Sequence, residues 1–397
     1  MPRSRISPSH CVEHLSILGA DGAVDRDLDP GLPSEQLRRY YRALVLARRW
    51  DERMINLSRQ GRIGTYPPTR GQEAASLGPA FVMEKADWLV PSFREMPAML
   101  YLGWPMERLI LGWWGGYEHG AQPPEGLNVL PLCGPVATQC QYAAGIAMGN
   151  KFKGDSGVVV TFLGDGATSE GDFHEAMNVA GAFQLPLVMI VQNNQWAISM
   201  PRSAQTASQT LAQKALGYGF GGMQVDGNDL LAMIVASREA LDRARSGGGP
   251  TLIEAITYRL GQHSTSDDSG KYRTADEVKG WETRDPLTRF TIYLEQRGIV
   301  NDKVRGLVEE DVKQEISAAI QRAEAYVPDP MEPFDHCFAT RPPHLVAQLG
   351  EFQAYWRARE GAARPEPKCG PIQKTPAVLA KASRSLPAPA PSAGLPN

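Results

Sequence analysis

The chain has 397 residues, with 41 Lys plus Arg against 44 Asp plus Glu and a formal net charge of −3. This balance argues against a nucleic-acid partner, and no run approaches the roughly 18–20 apolar residues that a membrane span needs. Cys11, Cys133, Cys140, Cys337 and Cys369 form neither a CxxC pair nor a disulfide framework, so they are expected as thiols in a reducing compartment. The opening MPRSRISPSH is basic but lacks an apolar core, so it does not read as a secretory signal. A cytoplasmic location is expected, or the mitochondrial matrix if the source is eukaryotic.

Residues 1–34, with Pro8, Pro30 and Pro33 and little periodicity, read as an extended lead-in. Leu37, Tyr40, Leu44, Ala47, Trp50, Met54 and Leu57 recur at three- and four-residue steps and predict an amphipathic helix that Gly61 stops. A second helical region, a short strand at Trp88-Leu89-Val90 and a loop opening at Pro91 follow. Residues 112–131 are rich in Gly and Pro and predict a loop lining a site. Gln139–Lys151 and Leu231–Ser246 predict helices; Gly222–Val225 and Thr251–Tyr258 predict strands. Alternation of this kind predicts an α/β fold with a mostly parallel sheet and helices on both faces, over residues 35–345. Residues 346–397 are expected to hold a helix end and a Pro/Ala-rich tail that is disordered over 370–397.

The densest signal lies between Val158 and Pro201. Val158–Leu163 and Leu187–Val191 are apolar, β-branched runs, and the first leads into Gly164-Asp165-Gly166 and the second towards Asn193-Asn194. Asp172–Phe183 between them predicts a crossover helix, which makes the two strands parallel. Ligands bind beyond the carboxyl ends of such strands. The Asp165 carboxylate and the Asn194 amide oxygen then reach one point, and one carboxylate with neutral oxygens suits Mg²⁺. Gly164 and Gly166 let backbone N–H groups approach a phosphate. On residues alone, Gly-Asp-Gly is an ordinary turn and Asn-Asn a common turn pair; their joint placement favours a magnesium–diphosphate site. An Mg-dependent phosphotransferase or hydrolase is the competing reading, but no GxxxxGK[ST] loop accompanies the turn. A non-catalytic scaffold would be signalled by loss of Asp165, Asn194 or His263, and all three are present.

The stretch GDGATSEGDFHEAMNVAGAFQLPLVMIVQNNQWAIS resembles the alpha subunit of the decarboxylating, thiamine-diphosphate-dependent first component of 2-oxo acid dehydrogenase complexes. The likeness covers most of residues 35–345. It implies oxidative decarboxylation of a small 2-oxo acid with reductive acylation of a lipoyl group on an acyltransferase component. By that resemblance Asp165, Asn194 and the Trp196 carbonyl hold Mg²⁺, while Gly166 and Ala167 touch the diphosphate through backbone groups. Arg94 matches an arginine that binds the diphosphate, although Phe93 stands where relatives have a tyrosine. Gly134-Pro135-Val136-Ala137-Thr138-Gln139 matches a loop that reaches the aminopyrimidine ring through its backbone and binds K⁺ in some relatives. Gly134 replaces the usual serine there and puts the potassium site in question. His263 matches the histidine of the active centre, Arg259 an arginine beside it, and Ser264 a position phosphorylated in eukaryotic relatives.

There is room for only one cofactor domain, so the missing half of the site is expected from another chain; the resemblance implies that this is a beta subunit in an α2β2 heterotetramer. WDERMINLSRQGRIGTYPPTRGQEA is similar to bacterial pyruvate dehydrogenase alpha subunits. TYRLGQHSTSDDSGKYRTADEV is more similar to the branched-chain (3-methyl-2-oxobutanoate) type. Pyruvate is slightly favoured, the branched acid is the alternative, and an acetoin dehydrogenase alpha subunit is a further one.

Overall fold

The computed structural model describes residues 10–115, 118–335 and 338–360. The chain divides into two compact units, Met1–Pro328 and Asp329–Asn397.

In the first unit the strands are β1 (Glu13–Leu15), β2 (Trp88–Val90), β3 (Val159–Gly164), β4 (Leu187–Asn193), β5 (Trp196–Ala197), β6 (Met200–Pro201), β7 (Gly221–Asp226) and β8 (Thr251–Ile256). The helices are α1 (Ser34–Arg59), α2 (Glu73–Ala80), α3 (Met96–Leu102), α4 (Met106–Gly115), α5 (Glu118–Ala121), α6 (Thr138–Lys153), α7 (Gly171–Phe183), α8 (Arg202–Gln205), α9 (Leu230–Arg245), α10 (Ala275–Glu282), α11 (Pro286–Gln296) and α12 (Asp302–Ala325). Six strands form one sheet in the order β1-β7-β8-β4-β3-β2, every pair parallel. β5 and β6 form a separate antiparallel hairpin.

A parallel sheet must be covered on both faces, and the central strands carry the apolar residues that this demands. On β3 and β4, Val160, Phe162, Val188 and Ile190 join the core beneath α1, α2 and α9. Their neighbours Val159, Leu163, Leu187, Met189 and Val191 join the core beneath α6 and α7. Each such side chain contributes about 1.5–3 kcal/mol by leaving water. The expected doubly covered sheet is therefore present.

Helix α1 buries the side chains its periodicity marks, from Leu37 to Leu57, and the chain leaves it through Gly61 at φ 71°. The same helix buries two charged residues. Arg48 forks between Glu73 and Asp285 at 2.7 Å each. Asp51 accepts from the Tyr66 hydroxyl, the Thr69 N–H and hydroxyl, and the Arg70 N–H. These bonds fix the segment 66–73 that runs from α1 towards the sheet.

Two expectations need correction. The lead-in is not simply extended: Glu13–Leu15 pairs with Met223–Val225 as an edge strand. Just beyond it, Ile17 and Leu18 donate their N–H groups to Asp229 at 2.6 Å each. The segment 112–131 is not loop throughout, because α4 runs to Gly115 and α5 covers Glu118–Ala121. Gly112 and Gly120 let these two helices touch: a Cβ at Gly120 would sit 2.4 Å from the Gly112 nitrogen.

In the second unit a 3₁₀ turn at Glu332–Phe334 precedes α13 (Pro343–Glu360), and Phe334 packs on Phe352 with ring centroids 5.6 Å apart. The tail expected over 370–397 lies outside the described residues, as do His336, Cys337 and Cys369. Among the described residues no helix is long and apolar enough to cross a membrane.

Candidate active site

Four adjacent parallel strands deliver the site. β2 leads to Arg94, β3 to Asp165, β4 to Asn194 and Trp196, and β8 to Arg259 and His263. The register places Gly164 opposite Gln192, so the turns after β3 and β4 leave the sheet side by side. A cavity of about 500 Å³ opens beyond these carboxyl ends. Arg94, Val136, Gly164, Asp165, Gly166, Ala167, Asn194, Trp196, Arg259 and His263 all line it. Gly134 does not; it lines a second, neighbouring cavity.

The two glycines of the turn answer to different constraints. A Cβ on Gly166 would lie 2.5 Å from the Cβ of Ala197, so the β5–β6 hairpin packs directly on the turn. A Cβ on Gly164 would meet nothing within 4 Å, although Gly164 lines the cavity. No protein packing requires glycine there, and a diphosphate pressed against the backbone would.

Asp165 is buried, and burial pushes its carboxyl up to about 6, with the Arg259 charge opposing the rise. Its Oδ2 accepts from the Gln205 amide at 3.3 Å. Asn194 is held by Gln72, whose Oε1 accepts from Asn194 Nδ2 at 2.9 Å, which turns the amide oxygen the other way. That oxygen accepts from the Trp196 N–H at 3.3 Å and keeps a lone pair for another partner. Asn193, the other half of the pair, is structural: it donates to the buried Glu254 at 2.7 Å. No cluster of three His, Cys, Asp or Glu exists among the described residues. One carboxylate, one amide oxygen and one carbonyl form a hard oxygen set that suits Mg²⁺ with phosphate oxygens completing the shell. In this structure the Trp196 carbonyl accepts from Arg259 Nη1 at 3.1 Å.

The opposite wall is cationic. Arg94 donates to the Pro68 carbonyl at 2.6 Å, the His263 carbonyl at 2.8 Å and His263 Nδ1 at 3.0 Å. Arg259 donates to His263 Nδ1 at 3.2 Å, the Ile198 carbonyl at 2.6 Å and the Tyr272 hydroxyl at 2.8 Å. Neither guanidinium forms an ion pair among the described residues, and both are buried. Burial, with each other's charge in Arg94's case, lowers their proton affinity, to about 10 for Arg94. Two buried cations without a carboxylate partner make a site that is short of negative charge.

His263 receives both guanidiniums on Nδ1, so Nδ1 is the acceptor and Nε2 carries the proton. Burial and the two arginine charges depress the imidazole to about 4. His263 is therefore expected to show neutral Nε2–H ¹⁵N shifts with no titration between pH 5.5 and 8. A midpoint near the ordinary 6.5 would contradict this arrangement. Because the folded value lies below the unfolded one, stability from this group is present above about pH 6.5 and is lost as pH falls through about 4.

Several lining residues escaped the sequence reading. Glu95 is buried, accepts from Gln192 at 3.1 Å, and is pushed by burial up to about 7. A glutamate next to an arginine reads as half of a surface pair, so nothing local marks it. Ile198 and Met200 of the hairpin also face the cavity, as does Gln205. Ile198 and Gln195 stand at positive φ, 54° and 73°, which no composition signal announces. Ser264 lies in a loop tied to the 58–66 segment: Thr265 donates its N–H to the Tyr66 carbonyl, and its hydroxyl accepts the Tyr66 N–H and lies 2.6 Å from the Ser58 hydroxyl.

The dehydrogenase E1 component family matches residues 41–332. The pyruvate dehydrogenase E1 component subunit alpha of Acholeplasma laidlawii is 43% identical over 84% of this chain and 97% of its own length. The 3-methyl-2-oxobutanoate dehydrogenase subunit alpha of Mycobacterium tuberculosis (strain ATCC 25618 / H37Rv) is 43% identical over 86% of this chain and 94% of its own. The pyruvate dehydrogenase E1 component subunit alpha of Staphylococcus aureus (strain N315) is 45% identical over 79% and 85%. With the carboxyl-end cavity and its oxygen donors in place, these matches make the chain a member of the dehydrogenase E1 component family, an alpha subunit of a thiamine-diphosphate-dependent 2-oxo acid dehydrogenase.

Proposed function

We propose that this chain, joined to a beta subunit, carries out the oxidative decarboxylation of pyruvate and passes the acyl group to a lipoyl-bearing acyltransferase component. The observation that carries the reading is the pairing of an oxygen-donor wall with two unneutralised guanidiniums across one cavity. Such a cavity takes a ligand that brings both a metal and negative charge. Thiamine diphosphate, when bound, supplies a thiazolium ring that accepts the electrons released as CO₂ leaves.

The chain's own residues bind and orient. Asp165, Asn194 and the Trp196 carbonyl would hold Mg²⁺, and Gly164, Gly166 and Ala167 would lie against the diphosphate. Arg94 offers a fork to phosphate oxygens. Val136, at the cavity wall, would contact the ring system. His263 presents a neutral Nε2–H to the carboxylate of the 2-oxo acid, and Arg259 holds that histidine from behind. The same two arginine charges attract the anionic substrate. A K⁺ site in the 134–139 loop would have to be built from backbone carbonyls, because Gly134 brings no hydroxyl.

Apolar groups at the cavity support a covering partner. Val136, Ile198 and Met200 are 49%, 56% and 50% exposed there. A beta chain in an α2β2 assembly would exclude water from them and complete the site. 3-Methyl-2-oxobutanoate remains the alternative substrate on the strength of the His263 loop and the mycobacterial relative. The test is turnover by the chain co-expressed with its beta partner, given thiamine diphosphate, Mg²⁺ and an artificial electron acceptor. Pyruvate and 3-methyl-2-oxobutanoate are run side by side. The complex is expected to prefer pyruvate and the chain alone to be inactive. Preference for the branched acid would shift the substrate, and no turnover of either acid would sink the decarboxylase reading in favour of acetoin or a scaffold.

A further inference from the structure

Trp196 would give Mg²⁺ only its backbone carbonyl, so the metal needs that peptide held in place. The backbone there is strained: the flanking residues Gln195 and Ile198 stand at φ 73° and 54°. Left-handed conformations of this kind persist only where surrounding contacts over-determine them. The β5–β6 hairpin supplies little of that hold, since it pairs only Trp196 with Pro201 and Ala197 with Met200. The indole supplies more. Its Nε1–H donates to Glu277 Oε1 on α10 at 2.9 Å, and its ring lies against Tyr272 with centroids 5.3 Å apart. The indole N–H groups of Trp50, Trp104 and Trp113 are buried without an acceptor, so such a bond is particular to Trp196 rather than general in this chain.

Glu277 is itself fixed. The same Oε1 accepts from the Tyr258 hydroxyl at 2.9 Å, and the Glu277 N–H donates to the Thr274 hydroxyl oxygen at 3.2 Å in the cap of α10. One turn further along α10, Trp281 stacks on Tyr258 with centroids 5.2 Å apart. Trp196, Tyr258 and Leu260 form a small core of their own, packed against Tyr272, Val278 and Trp281 and separate from the two cores about the sheet. Tyr258 directly precedes Arg259, whose Nη1 reaches the Trp196 carbonyl. One carboxylate oxygen therefore ties together the two segments that meet at that carbonyl.

We propose that Glu277 is a positioning residue for the metal: through the indole of Trp196 it fixes the carbonyl that completes the oxygen set. This rests on the decarboxylase reading above, with Mg²⁺ at Asp165 and Asn194. Mg²⁺ demands near-ideal ligand geometry and tolerates little displacement, so a peptide released from its anchor binds it less well. Residues that hold a metal ligand in place typically set affinity by about 10–100-fold.

The experiment titrates Mg²⁺ into the intact alpha–beta complex, freed of metal and supplied with thiamine diphosphate, and reads cofactor retention by equilibrium dialysis beside turnover. Glu277→Ala is expected to raise the half-saturating Mg²⁺ concentration about tenfold, with kcat at saturating Mg²⁺ far less affected. Glu277→Gln keeps an acceptor oxygen for the indole and is expected to recover most of that loss. Trp196→Phe keeps a ring but removes the N–H, so it should match Glu277→Ala, and the double variant should lose no more than either single one. Asp276→Ala, which removes an exposed charge from the same turn of α10, should leave retention as in wild type. Wild-type Mg²⁺ dependence in Glu277→Ala, additive losses in the double variant, or an equal loss in Asp276→Ala overturns the proposal while leaving the metal site standing. Retention of thiamine diphosphate by the wild-type complex without regard to Mg²⁺ overturns the metal reading, and the proposal with it.

Discussion

Replacing Asp165 with alanine is expected to lower turnover of the alpha–beta complex by about a thousandfold or more and to abolish Mg²⁺-dependent retention of thiamine diphosphate. Metal stabilisation of this kind contributes several kcal/mol, and each 1.4 kcal/mol is about a factor of ten. Asp165 is the one carboxylate in the proposed oxygen set; Asn194 and the Trp196 carbonyl are neutral and cannot balance a dication. Asp165→Asn keeps the shape and the bond to Gln205 but removes the charge, so it should fall nearly as far. The checks are equilibrium dialysis of the cofactor with and without Mg²⁺, and steady-state turnover. Cofactor retention equal to wild type in Asp165→Ala would remove the metal role from this residue.

The second large effect is on stability and arises away from the cavity. Arg48→Leu is expected to destabilise the fold by about 3–5 kcal/mol, because Glu73 and Asp285 would remain buried without their shared cation. For a chain of this size that corresponds to a fall in Tm of roughly 5–10 °C. Arg42→Leu gives the contrast. It breaks two ion pairs at 2.6 Å, with Asp311 and Glu315, but these lie on the surface and should cost about 1 kcal/mol or less. Equal losses in the two variants would show that burial does not set the value of these pairs. The Arg48 variant should also weaken the site, since Glu73 accepts the Gly71 N–H and Gln72 between them orients Asn194.

The parts that sequence revealed are those whose physics is local and repeated. Helix α1 shows its buried stripe over 26 residues, and β3, α7 and β4 show two apolar runs with a helical period between them. The turns at Asp165 and Asn194 could be placed because parallel strands force them to the same edge of the sheet. What stayed hidden depends on long-range partners. β1 has only three residues and no alternation; it is a strand because β7 offers it an edge. The shared hold of Arg94 and Arg259 on His263 joins loops from opposite parts of the chain, and residue types alone show no such junction. Family likeness supplied His263 and both arginines as candidates, whereas Glu95 had no local signal of any kind. The end of α4 and the whole of α5 sit in a Gly- and Pro-rich stretch where composition points to loop and helix-to-helix packing decides otherwise.

The short strand Glu13–Leu15 has a practical consequence for anyone preparing this protein. A shortened recombinant version that discards the first thirty residues as a floppy leader would strip the outermost strand from the sheet. The N–H and C=O groups of Met223–Val225 would then face solvent as a bare edge, the kind of surface on which chains stick to one another. The same cut would leave the buried Asp229 carboxylate without the two N–H groups of Ile17 and Leu18, at the head of α9. Poor solubility of such a truncated version should be traced to its missing strand before any fault is sought in the catalytic residues.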